Sequence, residues 1–132
     1  MAGQDYVPLA TSGIQWSCVA GAAITAGQLV EITAGSLSGG GVNPTVAPTS
    51  AATSAEVGVA ANTVASGQPV SVYFGGLHVL AASGAITAGD PVVAAAAGAV
   101  ADLGAGTTYD QVVGKAWSAA ANNLVAVRLG EI

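Results

Sequence analysis

Few side chains in this 132-residue sequence could do chemistry, and they stand apart from one another. His78 is the only histidine and Cys18 the only cysteine. A triad could use one histidine, but His78 lies in the apolar run "LHVLAA", with no nucleophile or orienting acid nearby in sequence. It reads as a structural or surface residue. A single cysteine permits neither an intramolecular disulfide nor a multi-cysteine zinc site. The carboxylates Asp5, Glu31, Glu56, Asp90, Asp102, Asp110 and Glu131 are spread singly. That spacing suggests no metal cluster, and nothing in it argues for the paired carboxylates of glycoside chemistry. Gly35 to Gly41 is glycine-rich, but no Gly-Lys-Ser/Thr follows, so it reads as a flexible loop rather than a phosphate cradle. No Gly-x-Ser-x-Gly elbow occurs. The expectation is a protein that is not an enzyme and holds no cofactor.

Charge narrows the partners. Lys115 and Arg128 are the only cations, against seven carboxylates, for a net charge of −5. Nucleic-acid binding draws on a basic footprint that displaces counterions, and an anionic membrane surface asks for the same. Neither partner is expected. Mean hydropathy is +0.65, too high for a disordered chain. The apolar runs are cut by Gly, Thr, Ser, Asp90 and Pro91, so no membrane-spanning helix is read, and no secretory signal precedes the first strand.

The elements that carry these residues are short strands and turns. "VAGAAITAGQLV" (Val19 to Val30) aligns without a gap on "AASGAITAGDPV" (Ala81 to Val92). "EVGVAANTVASGQPVSVYFGG" (Glu56 to Gly76) aligns on "VVGKAWSAAANNLVAVRLG" (Val112 to Gly130) with one gap, in the same order. The chain therefore reads as an extended arm over 1–13 and a single β domain over 14–132. Within that domain an internal duplication pairs 19–80 with 81–132. Ile-Thr-Ala-Gly-[Gln/Asp] is a turn. Gly27 and Gly89 can take positive φ, and the following residues, Leu29 to Thr33 and Pro91 to Ala95, are strands. Asp90 is expected to bond its own turn.

Alternation of period two marks further strands at Ile14 to Cys18, Val70 to Phe74 and Val125 to Leu129, with Val57 to Ala61 and Gln111 to Ala116 as additional candidates. The stretch Gly35 to Ser54 reads as a long loop or extended crossing. Short helical turns are allowed within Ser50 to Glu56 or near Thr107 to Gln111. The fold class is mainly β: a small barrel or sandwich built from two related halves. Its Ala- and Val-rich core is thin, since apolar burial yields about 25 cal/mol per Å². Such a chain is expected to gain stability from subunit contacts as well. Trp16 and Trp117 are assigned to the core by default, with an interface as the sharper alternative.

The "YVPL" arm, "AGAAITAGQLVEI", "VGVAA" with "SGQPVSVYFGG" and "ASGAITAGDPVVAAAAGAVA", and the closing "VVGKAW" and "LVAVRL" resemble the small capsid-decoration (head-stabilising, cement) proteins of tailed bacteriophages. The resemblance covers nearly the whole chain and carries no catalytic signature. It implies a mostly β structural protein of the virion. Made in the host bacterial cytoplasm, it would bind the major capsid protein on the outer surface of the head and stabilise it, often as a trimer. Tyr6, Val7, Pro8, Leu9, Trp16 and Trp117 are the candidate capsid or subunit contacts. The alternatives are another virion module, such as a tail or capsid-fibre component, or a non-viral surface-binding β module.

Overall fold

The computed structural model describes residues 8–10, 14–35, 37–38, 41–42 and 44–130. The fold is mainly β, as the alternation predicts. Among the described residues twelve strands follow in order: β1 Ile14–Ala20, β2 Leu29–Ala34, β3 Leu37–Ser38, β4 Gly41–Val42, β5 Thr45–Pro48, β6 Glu56–Ala60, β7 Pro69–Phe74, β8 Gly76–Ala81, β9 Pro91–Ala94, β10 Val100–Asp102, β11 Val112–Ala116 and β12 Leu124–Leu129. Single 3-10 turns cover Ala96–Gly98 and Tyr109–Gln111. Gly35 to Ser54, read from sequence as a long loop or extended crossing, contains the small β3–β4 hairpin and β5, a barrel strand. Its two prolines hid it: Pro44 precedes the strand and Pro48 ends it, so the pattern read as a breaker-rich loop.

The first five long strands close a barrel in the order β1-β5-β2-β6-β7, and the last five form a sheet in the order β10-β9-β11-β12-β8. Taken in chain order, the two units are wired alike. β1 pairs β7 as β8 pairs β12, and β7 pairs β6 as β12 pairs β11. β6 pairs β2 as β11 pairs β9, and β2 pairs β5 as β9 pairs β10. A parallel contact then joins first strand to third: Val19↔Thr45 and Ala20↔Val46 in the barrel, the single bridge Ala82↔Val100 in the second unit. β8, which the sequence comparison left at the end of the first half, belongs to the second sheet.

The match reaches individual hydrogen bonds. Gly27 N donates to Ala60 O and Gly89 N to Ala116 O; Ala60 N donates to Gln28 O and Ala116 N to Asp90 O. Gly58 and Gly114 also correspond. A Cβ on Gly58 would lie 2.0 Å from Tyr73 O, and one on Gly114 would lie 2.1 Å from Arg128 O, so each neighbouring strand approaches too closely for a side chain.

The repeated phrase is a turn, and the structure holds it three times. Gly27, Gly67 and Gly89 have φ of 91°, 89° and 94° at the third turn position, which suits type II geometry. The next side chain reaches back to the first residue's amide: Thr25 N donates to Gln28 Oε1 (2.8 Å), Ala65 N to Gln68 Oε1 (3.0 Å) and Thr87 N to Asp90 Oδ2 (2.9 Å). Each turn launches a strand: β2, β7 and β9.

Two cores result. Cys18, Ala20, Ile24, Val30, Val46, Ala60, Val70 and Val72 fill the barrel. The second core joins Leu80, Ile86, Val92, Ala94, Val100, Val113, Ala116, Val125, Val127 and Leu129 to Leu29 and Val59. Those last two sit on barrel strands β2 and β6, so the second sheet packs on the barrel's flank. Polar bonds lock the junction. Buried Thr49 donates its hydroxyl to Ala95 O (2.9 Å), Gly98 N donates to Thr49 O (3.1 Å) and Gln28 Nε2 donates to Ala97 O (3.1 Å).

Candidate interaction surface

His78, Cys18 and Asp90 are each held in the fold. His78 is fully buried in β8, and its Nε2 hydrogen-bonds Gly75 O. Burial pushes its pKa down, the Gly75 bond opposing, so the ring is neutral near pH 7. Cys18 is buried in the barrel, and desolvation raises its thiol pKa, away from the reactive thiolate. Asp90 caps its own turn, as its position predicts. Among the described residues no three His, Cys, Asp or Glu side chains gather where they could hold a metal ion, and no helix is long and apolar enough to cross a membrane. A shallow polar cavity between the units is lined by Thr53, Ser54, Glu56, Asp110 and Gln111 with Val112, Val113 and Gly130. Burial pushes the Glu56 carboxyl up to about 7 there.

Of the six candidate contact residues, Pro8, Leu9, Trp16 and Trp117 lie within the described residues, on the end of the arm, on β1 and just after β11. Tyr6 and Val7 lie outside the described residues. Pro8 is half-buried and Leu9 is 59% exposed. The described end of the arm is held by the fold itself: Ala10 N donates to Leu77 O (3.1 Å) and Leu77 N to Ala10 O (2.7 Å), which adds a residue to the β8 edge. The default assignment of both tryptophans to the core is wrong. Trp16 is 46% exposed and Trp117 is 56% exposed. The predicted phase of β1 places Trp16 with Cys18, and Trp16 pairs with Val72, but it stands closer to the strand's beginning than Cys18, where coverage falls away. Trp117 follows β11, on the outward side of the second sheet.

Register defines what surrounds Trp117. Directly paired residues share a sheet face, so one row runs Ala10, Leu77, Arg128, Lys115, Pro91 across the arm, β8, β12, β11 and β9. Beside it lie Val79, Ala126 and Trp117, then Ala81 and Leu124. The opposite face carries buried Leu80, Val125, Val127 and Leu129. On the outward face Lys115, Arg128, Trp117 and Leu124 are exposed, and the Arg128 guanidinium carbon stands 5.9 Å from the Trp117 ring centroid, within cation–π range.

Sequence reasoning found Trp117 and missed its neighbours. Part of the signal was present. Asn122 and Asn123 both take positive φ (53° and 62°), and Ala121 and Leu124 exchange both backbone hydrogen bonds around them. Asn-Asn between two alternating runs marks a tight hairpin. Strict pairing back from that hairpin sets Trp117 opposite Arg128; the ladder is offset from it by two residues, with Ala116 opposite Val127 and Lys115 opposite Arg128, so the hairpin was legible and the adjacency of the two cations was not.

This surface can offer apolar area, an aromatic ring and cationic side chains to another macromolecule. Comparison with known proteins bears on which kind. Among curated proteins no match is found. Among solved structures, the N base of head fiber gp8.5 of bacteriophage phi29 superposes with a TM-score of 0.63, covering 89% of this chain and 93% of that one at 18% identity; the likeness is one of fold. The family profile described as phage cement protein matches residues 10–130, which spans both units and the end of the arm, and the chain belongs to that family.

Proposed function

We propose that the protein is a structural component of the phage head. It binds the outer surface of the capsid through the major capsid protein and reinforces the shell, without catalysis and without a cofactor. The family match over residues 10–130 carries this reading. The two cores of small apolar residues, which leave room for reinforcement by contacts with other chains, support it. Copies associate on the particle, with a three-fold cluster favoured. The arm over 1–13 contributes through Tyr6, Val7, Pro8 and Leu9, either to the shell or to a neighbouring copy. The domain over 14–132 is taken as two copies of one ancestral unit, supported by the shared strand order and the paired glycines Gly58 and Gly114.

The test is direct. Purified protein is mixed with purified heads, expanded and unexpanded, and sedimented. Co-sedimentation with expanded heads, and density on their outer face in a particle reconstruction, is the expected outcome. Protein that stays in the supernatant with both kinds of head overturns the reading. A capsid-fibre component is the second reading, favoured by the fold likeness to the phi29 head fiber base.

A further inference from the structure

We infer that the free edge of β1 at Gln15 and Ser17 is an acceptor for an extended segment, and that residues 1–7 of a second copy fill it as an added antiparallel strand. The inference rests on the reading that copies cluster on the head. It deepens that reading by naming the edge that receives and the segment that is given.

The free edge follows from hydrogen-bond parity along β1. Ala20 N donates to Gln68 O, on the β7 side, whereas Val19 N donates to Pro44 O, on the β5 side. Successive amides of a strand point to opposite sides, so Gln15 and Ser17 turn their N–H and C=O groups to the same side as Val19. β5 reaches only Val19 and Ala20; from Ile14 to Cys18, β1 pairs with β7 alone. Among the described residues no backbone group bonds Gln15 or Ser17 on the open side, and both residues are exposed. A row of unpaired backbone groups on a strand edge is a template for another strand.

The second unit chooses the occupant. Gly21 N donates to Val46 O (2.8 Å) and Ser83 N to Val100 O (2.7 Å), so Gly21 corresponds to Ser83 and Gln15 to Leu77. At Leu77 the edge is taken: the chain's own Ala10 exchanges both backbone hydrogen bonds with it, antiparallel. The arm is thus the fold's own example of an edge ligand, and it does not serve both edges of one copy. Antiparallel pairing with β8 carries it from Ala10 towards Pro8 as β8 runs on from Leu77, away from the Phe74 end of β7 where β1 begins. Seven residues precede Pro8 and span about 23 Å when extended. A return to β1 of the same copy would spend most of them on the reversal; a neighbouring copy is within direct reach.

Side chains fit the same register. With Tyr6 opposite Gln15 and Gln4 opposite Ser17, Pro8, which has no N–H, falls before the start of β1. Paired residues share a face, so Tyr6 lies on the outer face beside a shallow groove lined by Gln15, Ala61, Asn62, Ser71 and Tyr73. Those polar side chains suit a ring that carries a hydroxyl at its tip. Val7 then points to the inner face, which Trp16, 46% exposed, shares with buried Cys18. Backbone bonds supply affinity and the groove supplies selectivity, as in other strand-addition contacts. Giving arm and receiving edge are different surfaces, so the contact runs head to tail, the kind that closes a three-fold ring.

The experiment uses full-length chains on purified heads that lack the protein, and the same chains in concentrated solution. A Gln4→Cys chain and a Ser17→Cys chain are mixed and mildly oxidised; opposed residues of an antiparallel pair lie within disulfide reach. The expected result is a linked dimer with one chain of each kind, about tenfold above either variant oxidised alone. Native Cys18 is buried and common to all samples. A synthetic peptide of residues 1–10 in excess lowers the yield, and its Tyr6→Ala form competes less well. Ser17→Pro, which removes an outward N–H, and deletion of Ala2 to Val7 each prevent clustering. Should Ser17→Pro fail to fold by circular dichroism, the deletion keeps the test, because Pro8 to Ala10 stay in place. Wild type that binds heads while the mixture yields no dimer above the single variants overturns the inference. A link that forms only within a chain carrying both cysteines overturns it as well. So does Ser17→Pro that loses head affinity while the deletion binds like wild type, because a strand of the shell then fills the edge. Failure of the wild type to bind any head removes the head-binding reading by itself; the solution sample then decides, and absence of the mixed dimer there overturns the exchange too.

Discussion

The barrel and the second sheet run five strands in the same order, yet they finish differently. In the barrel, β1 and β5 share two parallel pairs, and the β3–β4 hairpin intervenes before β5. In the second unit the link from β9 to β10 shrinks to one 3-10 turn, Ala96–Gly98, and closure rests on the lone bridge Ala82↔Val100. That turn is spent on the junction: Ala95 O, Ala97 O and Gly98 N all bond the barrel through Thr49 and Gln28. The closed unit is a platform whose flank is consumed by its neighbour. The looser unit uses its inner side for packing and keeps its outer side available. Identical wiring therefore buries Leu29, Val59 and Ala61 at barrel positions whose counterparts Pro91, Lys115 and Trp117 are exposed, while Gln15, Ser17 and Pro69 on β1 and β7 stay exposed as well.

The strongest way to break this comparison is at the paired glycines. Gly58→Ala and Gly114→Ala each force a methyl onto a backbone carbonyl oxygen of the adjacent strand. Each should cost about 3 kcal/mol or more in urea unfolding, because the strand itself must move. Closely similar losses at the two sites support equivalent roles. Tolerance at Gly114 with collapse at Gly58 would show that the looser unit can shift its β11–β12 register where the closed barrel cannot.

A titration separates the units next. Glu56 opens β6, and its counterpart at the start of β11 is Val112. The Glu56 carboxyl is raised from 4.5 to about 7 by burial, so the folded state favours its neutral form. Stability from this group is fully present below about pH 4.5 and is lost as pH rises through about 7. Glu56→Gln should remove that dependence and leave the protein more stable than wild type at pH 8, by on the order of 2 kcal/mol once partial exposure is allowed for. Parallel stability curves for both chains from pH 4.5 to 8 would show that the cavity solvates Glu56 well enough to leave it unperturbed.

These two tests also mark what could be read from the sequence. The paired Val-Gly segments and the Ile-Thr-Ala-Gly turns were legible because turns and close approaches demand particular residues locally: glycine for positive φ, Gln or Asp to cap the turn. The strand phases of β7 and β12 were legible for the same reason, since Val70, Val72, Val125 and Val127 alternate cleanly into the cores. Position in the assembled fold was not. β8 continues from β7 through Gly75 without pairing with it, and nothing in "FGGLHVL" says that the chain is crossing from barrel to sheet. The tryptophans were misplaced because aromatic type argues for burial, whereas exposure depends on which flank the other unit covers. Lys115 and Arg128 were noted only as a small count of cations, since their adjacency exists in register rather than in sequence.

Smaller effects should sharpen the comparison at the three turns. Gln28, Gln68 and Asp90 make the same backward bond, but Gln28 alone among them also bonds the other unit, at Ala97 O. Gln68→Ala and Asp90→Ala should each cost about 1 kcal/mol or less, the usual net value of one exposed hydrogen bond. Gln28→Ala should cost more than either, because it loosens the junction as well. Equal losses at all three in thermal unfolding would mean that the Ala97 bond adds nothing to the docking of sheet on barrel.

The smallest effect on stability is expected at the most conspicuous side chain. Trp117 is 56% exposed and its principal described neighbour is Arg128, so Trp117→Ala removes one surface cation–π contact and little burial. About 0.5 kcal/mol in urea unfolding is the expected cost, far below the 3–5 kcal/mol typical of truncating a buried aromatic residue. Lys115→Ala should fall in the same range, since a solvated ammonium on an outward strand position contributes little to folding. Ala61 and Val59, at the matching positions of the barrel, are enclosed, and there the same wiring makes side-chain size a matter of core packing. If Trp117→Ala instead lost several kcal/mol, the ring would be acting as a clamp over the β11–β12 hairpin. The outward face of the second unit would then be a structural surface like its counterpart, and the contrast between the two units would shrink to strand closure alone.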